Sequence, residues 1–194
     1  MRIIGGDAKG RSLHVPGRSK VRPTSDSVKE ALFNILSPGQ GKTFLDVFAG
    51  SGNIGIEALS RGASFAVFIE KNRVLSHFIK KNILQCGVDG RYKIMDMEVK
   101  KAIQILQKNG AHFDIIFADP PYEEGLVEET LCYFADGKLF SEDGLLIIQH
   151  SVREALRPGS AKELILTDQR RYGDTILSFL KYTDKGTESR LLKD

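Results

Sequence analysis

Between residues 43 and 150 the chain alternates short apolar runs with longer amphipathic ones, and this alternation constrains the fold more than any other feature. The apolar runs are continuously hydrophobic, as expected for strands of a sheet covered on both faces. A glycine follows each amphipathic run, where helices usually end: Gly62, Gly87, Gly110 and Gly137. The pattern predicts an α/β fold with a doubly wound, mainly parallel sheet.

The same pattern predicts the bounds of the elements. Strands are expected at 43–48, 65–70, 92–96, 113–118 and 145–150, and helices at 53–61, 73–86, 99–109 and 126–135. The later runs 163–167 and 176–182 have no helix between them, which predicts an antiparallel hairpin. Residues 1–20 predict another short hairpin. A helix then follows, capped by Thr24 or Ser25 and ending before Pro38-Gly39.

A length of 194 residues fits one main domain, so we expect an N-terminal extension at 1–37, the α/β domain at 38–182 and a polar tail at 183–194. No apolar run reaches the roughly 18 residues of a membrane span, and the N-terminus lacks the pattern of a signal peptide. We therefore expect a cytoplasmic protein. The two cysteines and four histidines show no metal-ligand spacing, so no metal site is predicted.

Positive charge is concentrated in the first 29 residues, called here the N-terminal arm. Seven of its residues are basic and two are acidic, whereas the other 165 residues carry 21 basic and 23 acidic side chains. Such an arm is either a solvated basic surface or a contact to the phosphates of a nucleic acid, and we favour the second. Its candidate residues for such phosphate contacts are Arg2, Lys9, Arg11, Arg18, Lys20 and Arg22.

The sequence Asp119-Pro120-Pro121-Tyr122, called here the D-P-P-Y box, follows a predicted strand. Neither proline donates an N–H, and each holds the preceding residue extended. The box therefore offers the Asp119 carboxylate and the Pro120 carbonyl as acceptors beside the Tyr122 ring. These groups suit a planar ring with an exocyclic NH2. The alternative is a simple Pro-Pro turn with a packing tyrosine.

A glycine-rich segment follows the first strand of the α/β pattern. Gly50-Ser51-Gly52-Asn53-Ile54-Gly55, called here the glycine turn, fits G-x-G-x-x-G between a strand and a helix. Glu70 ends the second strand, where a carboxylate can accept both hydroxyls of an adenosine ribose. Asp96 ends the third strand. The spacing predicts a site for an adenosine-containing cofactor.

Acidic residues distinguish between the possible cofactors. A pyrophosphate would be opposed by Asp46 and Asp119, which both end strands beside the glycine turn. An ammonium and a sulfonium would be favoured by them, which points to S-adenosylmethionine. The alternatives are that Asp46 caps the turn and that Glu70 is an exposed strand end.

These motifs resemble the seven-stranded class I methyltransferases, in which a D-P-P-Y box serves methylation of exocyclic or planar nitrogens. The RsmD family is resembled by the N-terminal residues 2–6, 9–11 and 22–36, and by residues 46–52, 55–62 and Tyr172–Thr175; the likeness covers about residues 1–182. That family methylates N2 of a guanine in 16S ribosomal RNA. The sequence departs from it at Gln149-His150, where the family usually has a glutamate after the fifth strand.

The resemblance implies a Rossmann-like seven-stranded sheet, and it implies roles for particular residues. Asp119, Pro120 and Tyr122 would hold the guanine. The cofactor would lie along Asp46, Phe48, Ala49, Gly50, Ser51, Gly52, Glu70, Lys71, Asp96, Met97 and Asp119. The substrate would be 16S ribosomal RNA within a small-subunit assembly intermediate, and we expect a monomer.

Other classes of protein remain as alternatives at this point. A DNA adenine methyltransferase could use the same box, although the compact chain offers no obvious base-recognition domain. A non-catalytic RNA-binding assembly module would have no use for an intact box and glycine turn. A nicotinamide oxidoreductase is disfavoured by the carboxylates and by the lack of an evident acid for hydride transfer.

Overall fold

The computed structural model describes residues 1–16, 25–36, 40–122, 125–157, 161 and 163–183. Its helices are α1 (Asp26–Ile35), α2 (Asn53–Ser60), α3 (Arg73–Cys86), α4 (Val99–Lys108) and α5 (Leu126–Phe134). Its strands are β1 (Thr43–Val47), β2 (Phe65–Ile69), β3 (Tyr92–Met95), β4 (Phe113–Ala118), β5 (Phe140–Ser151), β6 (Leu164–Tyr172) and β7 (Thr175–Tyr182).

The strands form one mixed sheet in the order β3-β2-β1-β4-β5-β7-β6. This order and the alternating helices confirm the predicted seven-stranded Rossmann-like fold. The chain divides into two compact units, residues 1–102 and residues 103–194, which are described in turn. The proposed boundaries near residues 37 and 183 stay predictions.

The first unit contains three parallel strands whose carboxyl ends are level. Val47 of β1 pairs with Ile69 of β2, which pairs with Met95 of β3. Four of the five residues in each of β1 and β2 are buried, as the continuously apolar runs predicted. Level strand ends bring the residues that follow them to one edge of this unit.

The start of the N-terminal arm packs on this unit as a tight hairpin, which confirms that prediction over residues 1–16; residues 17–20 lie outside the described part of the chain. Arg2 and Ser12 form an antiparallel bridge, flanked by a 2.9 Å hydrogen bond from the Ile3 N–H to the Arg11 carbonyl. Gly5 and Gly6 meet the end of α2, where the Ser60 hydroxyl donates to the Gly5 carbonyl at 2.6 Å. The glycines therefore serve close approach to α2 as well as turn formation.

We predict that Gly6→Ala destabilises the fold by about 3 kcal/mol, since it combines overpacking with left-handed strain. Gly6 has φ +72°, and a Cβ there would lie 1.8 Å from the Ser60 carbonyl oxygen. Gly10→Ala is the matched control, because Gly10 has φ +85° but open space around a Cβ. It should cost only about 1 kcal/mol. Urea unfolding measures both; equal losses would contradict the close-packing argument.

A buried ion pair joins α1 to α2. Lys29 Nζ lies 3.4 Å from Glu57 Oε2, and both side chains are fully buried. Lys29 also donates to the Arg2 carbonyl at 2.5 Å and to Asn53 Oδ1 at 2.9 Å. Burial lowers the pKa of Lys29, and the Glu57 carboxylate opposes that shift. The arm is thus fixed to α2 by bonds that would be costly to leave unmade.

The second unit contains β4, β5, β6 and β7. β4 and β5 are parallel, with Ala118 level with Ile148. β7 is antiparallel to both β5 and β6, which confirms the predicted C-terminal hairpin.

Two strands in this unit are longer than predicted. β5 begins at Phe140 rather than at Leu145, and β6 continues to Tyr172 rather than ending at Thr167. Most of β6 is exposed, so polar residues are tolerated while backbone bonds to β7 hold it in place. The turn between β6 and β7 contains only Gly173 and Asp174, with Gly173 at φ +61°.

In the described part of the chain no helix is long and apolar enough to cross a membrane. Across the same residues, no three histidine, cysteine or acidic side chains are grouped so that they could hold a metal ion.

Candidate active site

The glycine turn links β1 to α2 and depends on positive φ angles. Gly50 and Gly52 have φ +56° and +81°, values that favour glycine. Gly55 is required for another reason, because a Cβ there would lie 2.3 Å from the buried Phe68 ring. The turn therefore keeps its backbone against the sheet and leaves the N-terminal end of α2 without a side-chain cap from Gly52.

Asp46 supplies that cap from the end of β1. It is buried, and its Oδ2 accepts a 2.8 Å hydrogen bond from the Gly55 N–H. A carboxylate at this position satisfies a first-turn N–H and interacts favourably with the helix dipole. The bond matches the capping role considered for Asp46, and a direct contact of Asp46 with a cofactor stays a prediction.

Phe48 holds a strained backbone conformation at the same turn. Its φ is +61°, and among the described residues no other non-glycine residue has a positive φ. For an aromatic residue this conformation costs on the order of 1–3 kcal/mol. The next residue is fixed on both sides: the Ala49 N–H donates to the Ile69 carbonyl at 2.9 Å, and its carbonyl accepts from Gly52 at 2.8 Å. Such strain is typical of functional turns.

Glu70 binds the backbone of the glycine turn directly. Its Oε2 accepts from the Gly50 N–H at 2.9 Å, and its Oε1 accepts from the Asn72 N–H at 2.7 Å. Burial raises the pKa of Glu70, while the backbone bonds from Asn72 and Gly50 oppose the rise. A carboxylate has about four acceptor positions, so these bonds leave capacity for ribose hydroxyls.

The remaining cofactor candidates of this unit differ in exposure. Asp96 follows β3 and is exposed, and Met97 beside it is partly exposed. Lys71 is exposed and lies 3.6 Å from Glu98. Ala49 and Ser51 are buried within the turn. The structure thus brings Glu70 and the glycine turn into contact, and it leaves Asp96 and Lys71 at the rim.

Asn82 connects the N-terminal arm to the glycine turn, a role that the sequence reasoning missed. The side chain is fully buried on α3; its Nδ2 donates to the carbonyls of Ser51 and His14, both at 3.0 Å. Its Oδ1 accepts from the His14 N–H at 2.7 Å. A signal was present, because Asn82 shares a helix face with Ile79, Ile83 and Cys86.

The D-P-P-Y box lies in the second unit, directly after β4. Asp119 is partly exposed, Pro120 is buried, Pro121 is exposed and Tyr122 is partly exposed. The Tyr122 hydroxyl accepts a 3.3 Å hydrogen bond from Nε2 of Gln149, which is buried near the end of β5. The box therefore ends the strand as predicted, and it has a polar partner on the neighbouring strand.

The carboxyl of Asp119 has a strongly shifted pKa. Desolvation raises the pKa of its carboxyl to about 7, and hydrogen bonding by the Gln149 side chain opposes that rise. The residue keeps some exposure while its carboxyl is surrounded mainly by protein. A carboxyl poised near neutral pH at a strand end is a candidate for catalysis.

The candidate RNA contacts of the arm have different surroundings. Arg2 pairs with Asp26 at 3.0 Å, with both side chains largely exposed. Lys9 is exposed, and the Arg11 side chain donates to the Gln85 carbonyl on α3. Arg18, Lys20 and Arg22 lie outside the described residues. Contact of these six residues with RNA stays a prediction.

The seven-stranded sheet, the glycine turn and the acidic strand end at Glu70 define a class I methyltransferase fold. A solved structure described as the putative methyltransferase yhhF from Escherichia coli superposes with a TM-score of 0.79 at 33% identity. The match covers 95% of this chain and 99% of that one.

Residues 1–181 match the model of the family described as Conserved hypothetical protein 95, and the chain belongs to that family. The predicted RsmD resemblance is thereby confirmed. A putative rRNA methyltransferase, YlbH, of Bacillus subtilis is 34% identical over 93% of this chain and 98% of its own length. Ribosomal RNA small subunit methyltransferase D of Escherichia coli K12 is 38% identical over 80% of this chain and 77% of its own length.

Proposed function

We propose that this protein transfers a methyl group from S-adenosylmethionine to the exocyclic amine, N2, of a guanine in 16S ribosomal RNA. The observation that carries the proposal is the D-P-P-Y box, whose Asp119 carboxyl has a pKa raised to about 7 by desolvation. Family membership supports the substrate class, since relatives are named as ribosomal RNA small subunit methyltransferases.

The residues of the first unit fit the proposed cofactor. Glu70 retains acceptor capacity for ribose hydroxyls, and its two backbone bonds fix the direction in which the carboxylate points. Asp96 is exposed beyond β3, where an adenine amine could be met. Asp46 is committed to the Gly55 N–H, so we assign it the shaping of the turn. When bound, S-adenosylmethionine supplies an electrophilic methyl group on a sulfonium.

The box would prepare the guanine amine for attack. The lone pair of that amine is delocalised into the ring, which makes it a weak nucleophile. The Asp119 carboxylate and the Pro120 carbonyl would each accept one N–H and favour a pyramidal nitrogen. The carboxylate also stabilises the positive charge that develops on nitrogen, and fixed alignment lowers the entropic part of the barrier.

Tyr122 would hold the base by stacking. A base within folded RNA must be unstacked before it reaches such a box. Stacking on an aromatic side chain is worth about 1–3 kcal/mol per base and offsets part of that cost. The N-terminal arm would contribute contacts to phosphates, in keeping with its excess of basic residues.

Mass spectrometry of ribosomal RNA nucleosides tests the proposal. The protein is incubated with labelled S-adenosylmethionine and either naked 16S RNA or small-subunit particles lacking the modification. We expect label in N2-methylguanosine, with particles as the better substrate. Label in an adenosine derivative would overturn the choice of base, and no transfer to either RNA would overturn the proposed activity.

A further inference from the structure

Gln149 is a buried polar residue at the end of β5, level with the start of the D-P-P-Y box. Its residue exposure is 3%. Ala118 is paired in register with Ile148, so Asp119 and Gln149 are the next residues on these two parallel strands. The box and Gln149 therefore share one edge of the second unit.

Two contacts of the Gln149 side chain reach the box. Its Nε2 donates to the Tyr122 hydroxyl at 3.3 Å, and its hydrogen bonding also acts on the Asp119 carboxyl. A primary amide carries two N–H donors, so one side chain can serve both residues. Gln149 is thus placed to link the carboxylate to the aromatic ring.

Packing alone does not explain an amide at this position. Ile147 and Ile148 precede Gln149 in β5 and are fully buried, so an apolar residue would suit the environment. Burying an amide is costly unless it is hydrogen-bonded. The bond to Tyr122 and the interaction with the Asp119 carboxyl help to stabilise this buried amide, and both belong to the box.

We propose that Gln149 is a positioning residue for methyl transfer, which fixes the Asp119 carboxylate and the Tyr122 ring relative to each other. This inference rests on the proposed function. With the link in place, one acceptor and the stacking ring are oriented before the base arrives. Without it, the carboxylate can rotate and the ring can tilt, so fewer bound bases reach a reactive geometry.

Gln149→Leu is the main test, because it keeps the approximate volume and removes both donors. We expect kcat to fall about tenfold, the effect of roughly one hydrogen bond, with the RNA KM changed less than threefold. Gln169→Leu is the matched control: Gln169 donates to Ser178 Oγ at 2.8 Å on β7, and Ser178 also contacts His150. The same chemical change there should leave kcat unaltered.

A second readout does not depend on turnover. The Asp119 carboxyl is titrated by carbon NMR in the ligand-free protein, and its pKa should rise in Gln149→Leu and stay unchanged in Gln169→Leu. Burial raises this pKa and the Gln149 side chain lowers it, so removal of the amide should leave the effect of burial unopposed. The Gln149 amide also contacts the hydroxyl of Tyr122, which is itself a titratable group.

Tyr122→Phe repeats the comparison at a partly exposed position, where loss of folding is not expected. It should lower kcat several-fold. In the double variant with Gln149→Leu, the loss of kcat should be smaller than the two single losses combined, because both changes remove the same link. Unchanged kcat in Tyr122→Phe together with an unchanged Asp119 pKa in Gln149→Leu would overturn the inference. A wild-type protein that methylates no RNA would overturn the proposed function, while the NMR titration would still decide whether Gln149 acts on Asp119.

Discussion

Asp119→Ala should lower single-turnover methyl transfer by about 100-fold or more while cofactor binding is retained. Removal of one preorganised group that stabilises transition-state charge typically has an effect of this size. Asp119 belongs to the second unit, whereas the bonds of the glycine turn and Glu70 lie within the first. The variant loses the predicted contact of Asp119 with the cofactor but keeps those of the glycine turn and Glu70, so the affinity for S-adenosylmethionine, measured by calorimetry, should change much less than the rate.

Asp119→Asn separates the charge of this side chain from its shape. The amide keeps one acceptor oxygen but cannot stabilise the developing positive charge, so we expect most of the loss to remain. A rapid-quench assay with tritiated methyl donor and saturating RNA measures the step directly. Near-normal transfer in either variant would exclude the proposed role, and equal losses of rate and cofactor affinity would point to misfolding, which a thermal melt would reveal.

Features that depend on local chemistry were predictable from the sequence. Gly62, Gly87, Gly110 and Gly137 follow helices because a left-handed residue can end a helix, and each has a positive φ. The bounds of α3 and β4 were predicted without error. Pro120 and Pro121 cannot extend a ladder, so the strand had to end at Ala118.

Features that depend on neighbours in space were not predictable in the same way. The polar stretch 168–171 lies in β6 because backbone pairing with β7 outweighs its weak strand pattern. Gln149 showed only as a departure from a family pattern, since Tyr122 and Asp119, which it contacts, lie 27 and 30 positions earlier in the chain. The capping of α2 by Asp46 was considered only as an alternative to a cofactor contact, because its bond from the Gly55 N–H is visible only in the structure.

The N-terminal arm shows a further limit of charge counting. Its basic residues predicted contact with a polyanion, yet Lys29 is buried against Glu57 and Arg11 donates to the end of α3. These cations hold the arm on the first unit, and Asn82 extends that attachment to Ser51 in the glycine turn. Net charge indicates the class of binding partner, but burial determines which of the charged side chains can contact that partner.

Activity should rise with pH through an apparent pKa near 7, falling about tenfold for each pH unit below that value. Desolvation raises the pKa of Asp119 to about 7, and only the ionised carboxylate carries the negative charge that stabilises positive charge developing on nitrogen. The carboxyl is half ionised at pH 7 and about 1% ionised at pH 5, so kcat/KM should drop about 50-fold between these two pH values. The pH dependence is measured on kcat/KM, because that ratio reports the ionisation of groups in the free enzyme.

The same shift acts on stability in the opposite direction. An unfolded aspartate ionises near pH 4, so the fold holds its proton more tightly than the unfolded chain between about pH 4 and pH 7. Ionisation of Asp119 therefore destabilises the fold progressively as pH rises through this window, and the penalty is complete above pH 7. Asp119→Asn should be more stable than the wild type at pH 8 and equal to it near pH 4. The residual activity of Asp119→Asn should not depend on pH around pH 7, because the amide does not ionise. If the activity of the wild type instead fell only below pH 5, the assignment to Asp119 would be contradicted. The carboxyl would then have an ordinary pKa, without the rise that its buried position causes.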